Sequence, residues 1–146
     1  MRRSNKPKSP VVAIDFDGTI VAHRYPEIGE PVPYALETMR AMLARGCKLI
    51  LYTMRSGEYL REAVDYLTAE GIELWAVNEN PAQKYWTDSP KVYAHVYIDD
   101  AAFGCPLVEV ENDRPIVDWR AIAEHFELIE YISETKQPPP QAKSSS

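Results

Sequence analysis

The stretch VVAIDFDGTI, residues 11–20, decides the fold of this chain. Its first four residues are apolar and mostly β-branched, which predicts a strand buried on both faces. Asp15 and Asp17 follow at once, separated only by Phe16. Residues i and i+2 of an extended segment point to the same side, so we expect both carboxylates to face one small volume. Paired charges at the end of a buried strand predict a functional site.

Composition narrows the class of protein. The 146 residues suit one domain, and 45% hydrophobic with 26% charged residues is typical of a globular chain. The net charge of −6 argues against a broad nucleic-acid surface. Apolar runs are too short for a transmembrane helix, and the basic start lacks the apolar stretch of a signal peptide. Cys47 and Cys105 do not have metal-type spacing. We therefore expect a cytoplasmic protein that does not contact a membrane.

The chain divides into three parts. Residues 1–10 carry basic charge and two prolines, which predicts a flexible N-terminal arm. Residues 136–146, KQPPPQAKSSS, are rich in proline and serine, which predicts a disordered tail. A single folded domain is expected over residues 11–135.

Strand and helix patterns alternate through this domain. Helices are predicted over 33–45, over a segment that includes Leu60, Val64 and Leu67 and ends at Gly71, and behind an N-cap at Asp118. Strands are predicted at 11–15, 47–53, 72–77, 95–99 and 106–110. This order predicts an α/β fold, a doubly wound parallel sheet with helices on both faces.

Polar residues follow four of the predicted strands. In a doubly wound sheet the functional site lies at the carboxyl ends of the strands. The residues expected at that edge are Asp15, Thr53, Asn78, Asp99 and Asp100. Clustered carboxylates repel one another unless a cation intervenes, and Mg²⁺ prefers such hard oxygen ligands. Gly18 leaves room for close approach, and the N–H groups beside it, including that of Thr19, are expected to bind an anion such as phosphate.

The motifs DFDGT, LILYT and VYIDD, in this order and spacing, resemble the haloacid dehalogenase-like (HAD) superfamily of phosphohydrolases. The resemblance covers residues 11 to about 105. It implies a Rossmann-like, HAD-like catalytic domain that uses Mg²⁺.

The resemblance also implies roles. Asp15 matches the nucleophile, which forms an aspartyl-phosphate, and Asp17 matches the general acid/base. Thr53 matches the residue that hydrogen-bonds the phosphoryl group. Asp99 matches the metal-binding acid, with Asp100 beside it as ligand or orienter. In the family the metal also takes the nucleophile's carboxylate and a backbone carbonyl at the Asp17 position.

The family's lysine has two candidates. Lys91 lies eight residues before Asp99, close to the spacing expected in nucleotidase-like members. Lys84 stands among Gln83, Tyr85 and Trp86 and is expected to face solvent. Spacing favours Lys91.

Further side chains have two readings each. For His23, the first reading is contact with a leaving group and the second is an exposed position in a loop. For Arg55, the first reading is binding of a phosphate or carboxylate and the second is a position on the surface where a helix begins. Asn78 orients substrate or only forms a turn. For Tyr85 and Trp86, packing in the core is favoured over stacking on a base or sugar.

The motif intervals leave no room for a cap domain. Asp15 and Thr53 are 38 positions apart, as are Thr53 and Lys91, and a helix and a strand occupy most of each interval. Members of the family without a cap act on large substrates or close the site with another subunit, so the resemblance implies a large substrate or a homo-oligomer.

The favoured function is a Mg²⁺-dependent phosphatase acting on a small phosphorylated substrate, such as a sugar phosphate or nucleotide. Four alternatives stay open: a phosphoacceptor signalling domain, a phosphotransferase, a binding module with a vestigial site, and a phosphatase of protein or polynucleotide ends.

Overall fold

The computed structural model describes residues 10–129. The tail expected at 136–146, the end of the expected domain at 130–135, and the arm expected at 1–10, apart from Pro10, lie outside the described residues. No helix within residues 10–129 combines the length and apolarity needed to cross a bilayer. Cys47 and Cys105 are free thiols.

Short strands alternate with helices in the first half of the chain. The strands are β1 (Val11–Ile14), β2 (Lys48–Leu51), β3 (Ala76–Val77), β4 (Val96–Ile98), β5 (Leu107–Val108) and β6 (Ile116–Val117). The helices are α1 (Ala35–Ala44), α2 (Gly57–Ala69) and α3 (Trp119–His125), with a 3₁₀ turn at Gln83–Tyr85.

The helix ends follow the capping signals of the sequence. Gly46 and Gly71 have positive φ angles of 96° and 79° just after α1 and α2, where a glycine avoids the strain of a left-handed residue. The Asp118 side chain accepts a hydrogen bond from the N–H of Ala121, 3.1 Å away, and so caps α3. All three predicted helices are confirmed, with boundaries shifted by a few residues.

The central sheet is parallel and has the strand order β3-β2-β1-β4. Val12 pairs with Leu49 of β2 on one side and with Val96 of β4 on the other. The chain therefore reverses its direction of winding between β1 and β4, and the carboxyl ends of both strands lie at one edge. The predicted α/β fold with a parallel sheet is confirmed.

The expectation of helices on both faces is wrong for the described residues. Residues of α1, α2 and α3 share one core with the face that carries Val12 and Ile14. The opposite face, which carries Val11, Ala13 and Ile50, is covered by residues of the β3–β4 connection, among them Val92 and Ala94. That connection contains two prolines and only the short 3₁₀ turn, so an irregular segment lies where a helix was expected.

The later strands also differ from expectation. β5 does not join the parallel sheet but pairs with β6 in an antiparallel two-stranded sheet. The strand expected over 72–77 is reduced to Ala76–Val77, because only these two residues pair with Ile50 and Leu51.

Candidate functional site

An acidic cluster forms where β1 and β4 end. Asp15, Asp99 and Asp100 each place a carboxylate oxygen so that the three atoms lie within 4.8 Å of one another. The backbone sets this arrangement, since the N–H of Asp15 donates to the carbonyl of Ile98 at 2.9 Å and continues the pairing of the two strands. The geometry brings together three of the carboxylates expected to bind metal.

Burial and the neighbouring charges change the acidity of Asp15. Desolvation raises the pKa of Asp15 to about 7, and the charges of Asp99 and Asp100 add to the rise, while the Thr19 hydroxyl opposes it. Carboxylates held this close are stabilised by a cation. Three half-buried carboxylate oxygens fit a hard divalent ion such as Mg²⁺.

Thr19 links the two strands of the cluster. Its hydroxyl donates to Asp15 Oδ2 at 3.0 Å and accepts from the N–H of Asp100 at 3.0 Å. The residue is fully buried. The Thr19 hydroxyl therefore positions the two aspartates, whereas the anion binding expected of this residue concerns its backbone N–H.

A hydrogen bond from α3 to Thr19 was not predicted from the sequence. The indole N–H of the buried Trp119 donates to the Thr19 carbonyl at 2.6 Å. The two residues are 100 positions apart. No sequence signal indicated that Trp119 and Thr19 would be partners.

Gly18 and His23 complete the side of the cluster next to Asp100. Gly18 has a φ angle of 87°, and a Cβ there would collide with the His23 ring and lie 2.6 Å from Asp100 Oδ2. His23 Nε2 lies 3.0 Å from the same Asp100 oxygen. Of the two readings for His23, the structure thus favours a place in the site over an exposed loop position.

Two of the N–H groups expected to bind an anion beside Gly18 already have partners within the protein. The N–H of Gly18 donates to the Val21 carbonyl at 2.7 Å, and the N–H of Thr19 donates to the Phe16 carbonyl at 3.1 Å. These two groups are already used within a tight turn, so neither is available to a phosphate in this conformation.

Asp17 lies outside the acidic cluster and pairs with Arg55. Arg55 Nε donates to Asp17 Oδ2 and Nη2 donates to Asp17 Oδ1, both at 2.8 Å. This hydrogen bonding raises the pKa of Arg55. Only 3% of Arg55 is exposed, so neither a surface role nor direct binding of substrate phosphate fits, and its ligand is a carboxylate of the protein.

Thr53 and Asn78 meet at the ends of β2 and β3. The Asn78 side-chain oxygen accepts from the N–H of Thr53 at 2.8 Å, and Thr53 Oγ1 accepts from the N–H of Arg55 at 3.1 Å. Asn78 has a positive φ of 55°, a conformation that asparagine tolerates. Asn78 therefore both forms the turn and orients the segment that carries Thr53.

Neither candidate lysine touches the acidic cluster. Lys84 and Lys91 are exposed, and within residues 10–129 no hydrogen bond or ion pair joins either side chain to Asp15, Asp99 or Asp100. The choice of Lys91 stays a prediction.

The expected core packing of two aromatic residues is wrong. Tyr85 is 82% exposed and Trp86 is 64% exposed. They belong to the irregular connection between β3 and β4, where no periodic pattern indicates which side chains face inward.

Comparison with known proteins gives one informative relative. No protein-family model matches the chain, and no curated protein matches it. The solved structure of a conserved protein coded by a locus of Bacteroides thetaiotaomicron is similar, with 35% sequence identity and a TM-score of 0.69. The match covers 88% of the present chain and 98% of that chain. The chain thus belongs to the same family as this conserved Bacteroides protein.

Proposed function

We propose that this protein is a Mg²⁺-dependent phosphomonoesterase of the haloacid dehalogenase-like type. The observation that carries the proposal is the convergence of Asp15, Asp99 and Asp100 within 4.8 Å at the carboxyl ends of two parallel strands. Asp17 stands two residues beyond the first aspartate, and Thr53 ends the neighbouring strand β2. This set fits phosphoryl transfer, in which positioning and charge neutralisation supply most of the catalysis.

In the proposed reaction an Asp15 oxygen forms a bond to phosphorus while the ester P–O bond breaks. The departing oxygen takes a proton at the Asp17 carboxyl group, which completes the first step. Water then attacks phosphorus and gives a proton back to Asp17, and the Asp15–phosphorus bond breaks to release phosphate. The Thr53 hydroxyl donates to a phosphoryl oxygen, and Lys91 supplies a positive charge to the same group.

Asp15, Asp99 and Asp100 are the residues that would hold Mg²⁺. When bound, the ion offsets the repulsion between an anionic nucleophile and an anionic phosphate. The raised pKa of Asp15 supports this assignment, because a neighbouring cation favours the ionised carboxylate that attack requires.

The connections between the strands support a capless, open site. The β1–β2 connection contains a loop and α1, and the β2–β3 connection contains α2, with no further helix or sheet in either. A small phosphorylated compound, such as a sugar phosphate or nucleotide, is the substrate class that we favour. A second copy of the chain would be the element that closes the site.

Phosphate release from sugar phosphates, nucleotides and an aryl phosphate, with Mg²⁺ and with EDTA, tests the proposal. We expect turnover with Mg²⁺ only, and none in Asp15→Asn. Arg61→Lys, a change of an exposed arginine on α2, is the control and should match the wild type. Stable phosphorylation of Asp15 without turnover would instead indicate a phosphoacceptor domain, and no reaction with any ester would contradict the proposal.

A further inference from the structure

Arg55 makes an unusually complete set of contacts for an arginine beside a proposed active site. Besides its two bonds to Asp17, Nη2 donates to the Glu27 carbonyl at 3.0 Å and Nη1 donates to the Tyr59 carbonyl at 3.2 Å. Four donor–acceptor pairs thus fix the guanidinium to three segments: the turn after β1, the loop that precedes α1, and the first turn of α2.

Two aromatic rings lie close to the same guanidinium group. The guanidinium carbon lies 5.1 Å from the centre of the Phe16 ring and 5.1 Å from the centre of the Tyr25 ring. Stacking of this kind restricts the plane of the guanidinium, and a planar fork fixes the orientation of the carboxylate it binds. The direction of the Asp17 side chain is therefore set by Arg55.

We propose that Arg55 is a positioning residue that keeps the Asp17 carboxylate apart from the cation-binding aspartates and available for proton transfer with the leaving group. Asp15, Asp99 and Asp100 gather within 4.8 Å, whereas Asp17 does not belong to that group. Two bonds of 2.8 Å to Arg55 account for the separation. This inference rests on the proposed phosphatase function.

The separation has a chemical purpose. A carboxylate that joins a divalent cation as a ligand is no longer free to exchange a proton with an ester oxygen or with water. Asp17 is only two residues from Asp15, so a flexible side chain there would compete for the same cation. A fixed arginine prevents this competition by holding both Asp17 oxygens.

Steady-state kinetics with an aryl phosphate tests the positioning role. Arg55→Lys keeps the charge but lacks the planar fork, so we expect kcat to fall by about 10–100-fold while KM changes by less than about twofold. A phosphate-binding arginine would give the opposite pattern, a raised KM at nearly constant kcat, and that result would overturn the inference. Arg61→Lys should leave both constants unchanged.

A double-mutant cycle covers the case in which loss of Arg55 alone prevents folding. The pair Arg55→Gln and Asp17→Asn removes both charges together, so the double variant leaves no buried charge unpaired. We expect its kcat to equal that of Asp17→Asn alone within about twofold, because Arg55 acts through Asp17. A further loss of tenfold or more would show that Arg55 acts independently.

Titration with Mn²⁺, followed by electron paramagnetic resonance, tests the same idea without any turnover. Asp17→Asn should leave the Mn²⁺ affinity within about twofold of the wild type, whereas Asp99→Asn should weaken it by about tenfold or more. Equal weakening in both variants would make Asp17 a ligand and overturn the inference. If no phosphate ester is hydrolysed, the proposed function fails, but this titration still decides where Asp17 belongs.

Discussion

At the scale of single residues, substitution of Thr19 tests how much its hydroxyl contributes to the stability of the acidic cluster. Thr19→Val keeps the shape of the side chain but removes the acceptor for the N–H of Asp100. An unpaired buried N–H costs about 1–3 kcal/mol, and we expect this loss in the free energy of unfolding measured with urea. Thr19→Ser retains the hydroxyl and should recover most of it. A loss in Thr19→Ser as large as that in Thr19→Val would mean that the methyl group contributes as much as the hydroxyl, and a loss in Thr19→Ser alone would assign the effect to the methyl group.

The raised pKa of Asp15 predicts a pH dependence of stability in EDTA. The group titrates near 7 in the folded chain against an ordinary value of 3.8, so the folded state retains a proton that the unfolded chain releases between these values. The free energy of unfolding therefore falls as pH rises through this window, by about 1.4 kcal/mol for each unit of pKa shift. Urea unfolding at pH 5 and pH 8 should show the fall in the wild type.

The matched variant for this measurement is Asp15→Asn, which cannot titrate. Its difference in unfolding free energy between pH 5 and pH 8 should be smaller than that of the wild type, and at pH 8 the variant should be the more stable protein in EDTA. An identical pH dependence in the two proteins would assign the effect to other groups.

The positions of some site residues could be predicted from the sequence and those of others could not, for a physical reason. Asp15, Asp99 and Asp100 could be placed together because each follows an apolar strand, and parallel strands end at the same edge. The bond between Asp17 and Arg55 could not be predicted, because it depends on the conformations of loops that lack periodicity. The burial of Thr19 could not be predicted either, because it depends on a tight turn that only the structure reveals.

At the scale of elements, α3 supports the site through one hydrogen bond. Trp119→Phe keeps a buried aromatic ring but removes the donor to the Thr19 carbonyl. We expect the free energy of unfolding to fall by about 1–3 kcal/mol, and Mn²⁺ affinity to weaken, because the Thr19 turn loses its support. Trp86→Phe is the matched control at an exposed tryptophan and should change stability by less than about 0.5 kcal/mol. Similar losses in both variants would contradict a specific role for α3.

Elements with a clear apolar period were the ones that sequence reasoning located. β1, β2 and α1 each have such a pattern, and each lies within a few residues of its predicted position. The β3–β4 connection has neither a helical nor a strand period. The expectation of helices on both faces was therefore wrong, as was the expected burial of Tyr85 and Trp86. The strand with which β5 pairs could not be predicted either. Its apolar run does not indicate whether it joins the parallel sheet or pairs with β6.

At the scale of the whole molecule, folding and cation binding should be linked. Folding places three carboxylates within 4.8 Å of one another, an arrangement that the unfolded chain does not hold, so a divalent cation binds the folded state preferentially. At free Mg²⁺ about 100-fold above the dissociation constant, the added stability is about 2.7 kcal/mol. For a chain of this length we expect the midpoint of thermal unfolding to rise by roughly 5–10 °C relative to EDTA.

Two variants decide whether this stabilisation arises at the acidic cluster. Asp99→Asn removes one of the three carboxylates and should lose most of the Mg²⁺-dependent rise in the unfolding midpoint. Glu58→Gln removes an exposed carboxylate on α2 and should keep the full Mg²⁺-dependent rise in the unfolding midpoint. If both variants respond to Mg²⁺ as the wild type does, the ion binds elsewhere or not specifically. Because this measurement needs no substrate, it tests the cation site whether or not the phosphatase activity is found.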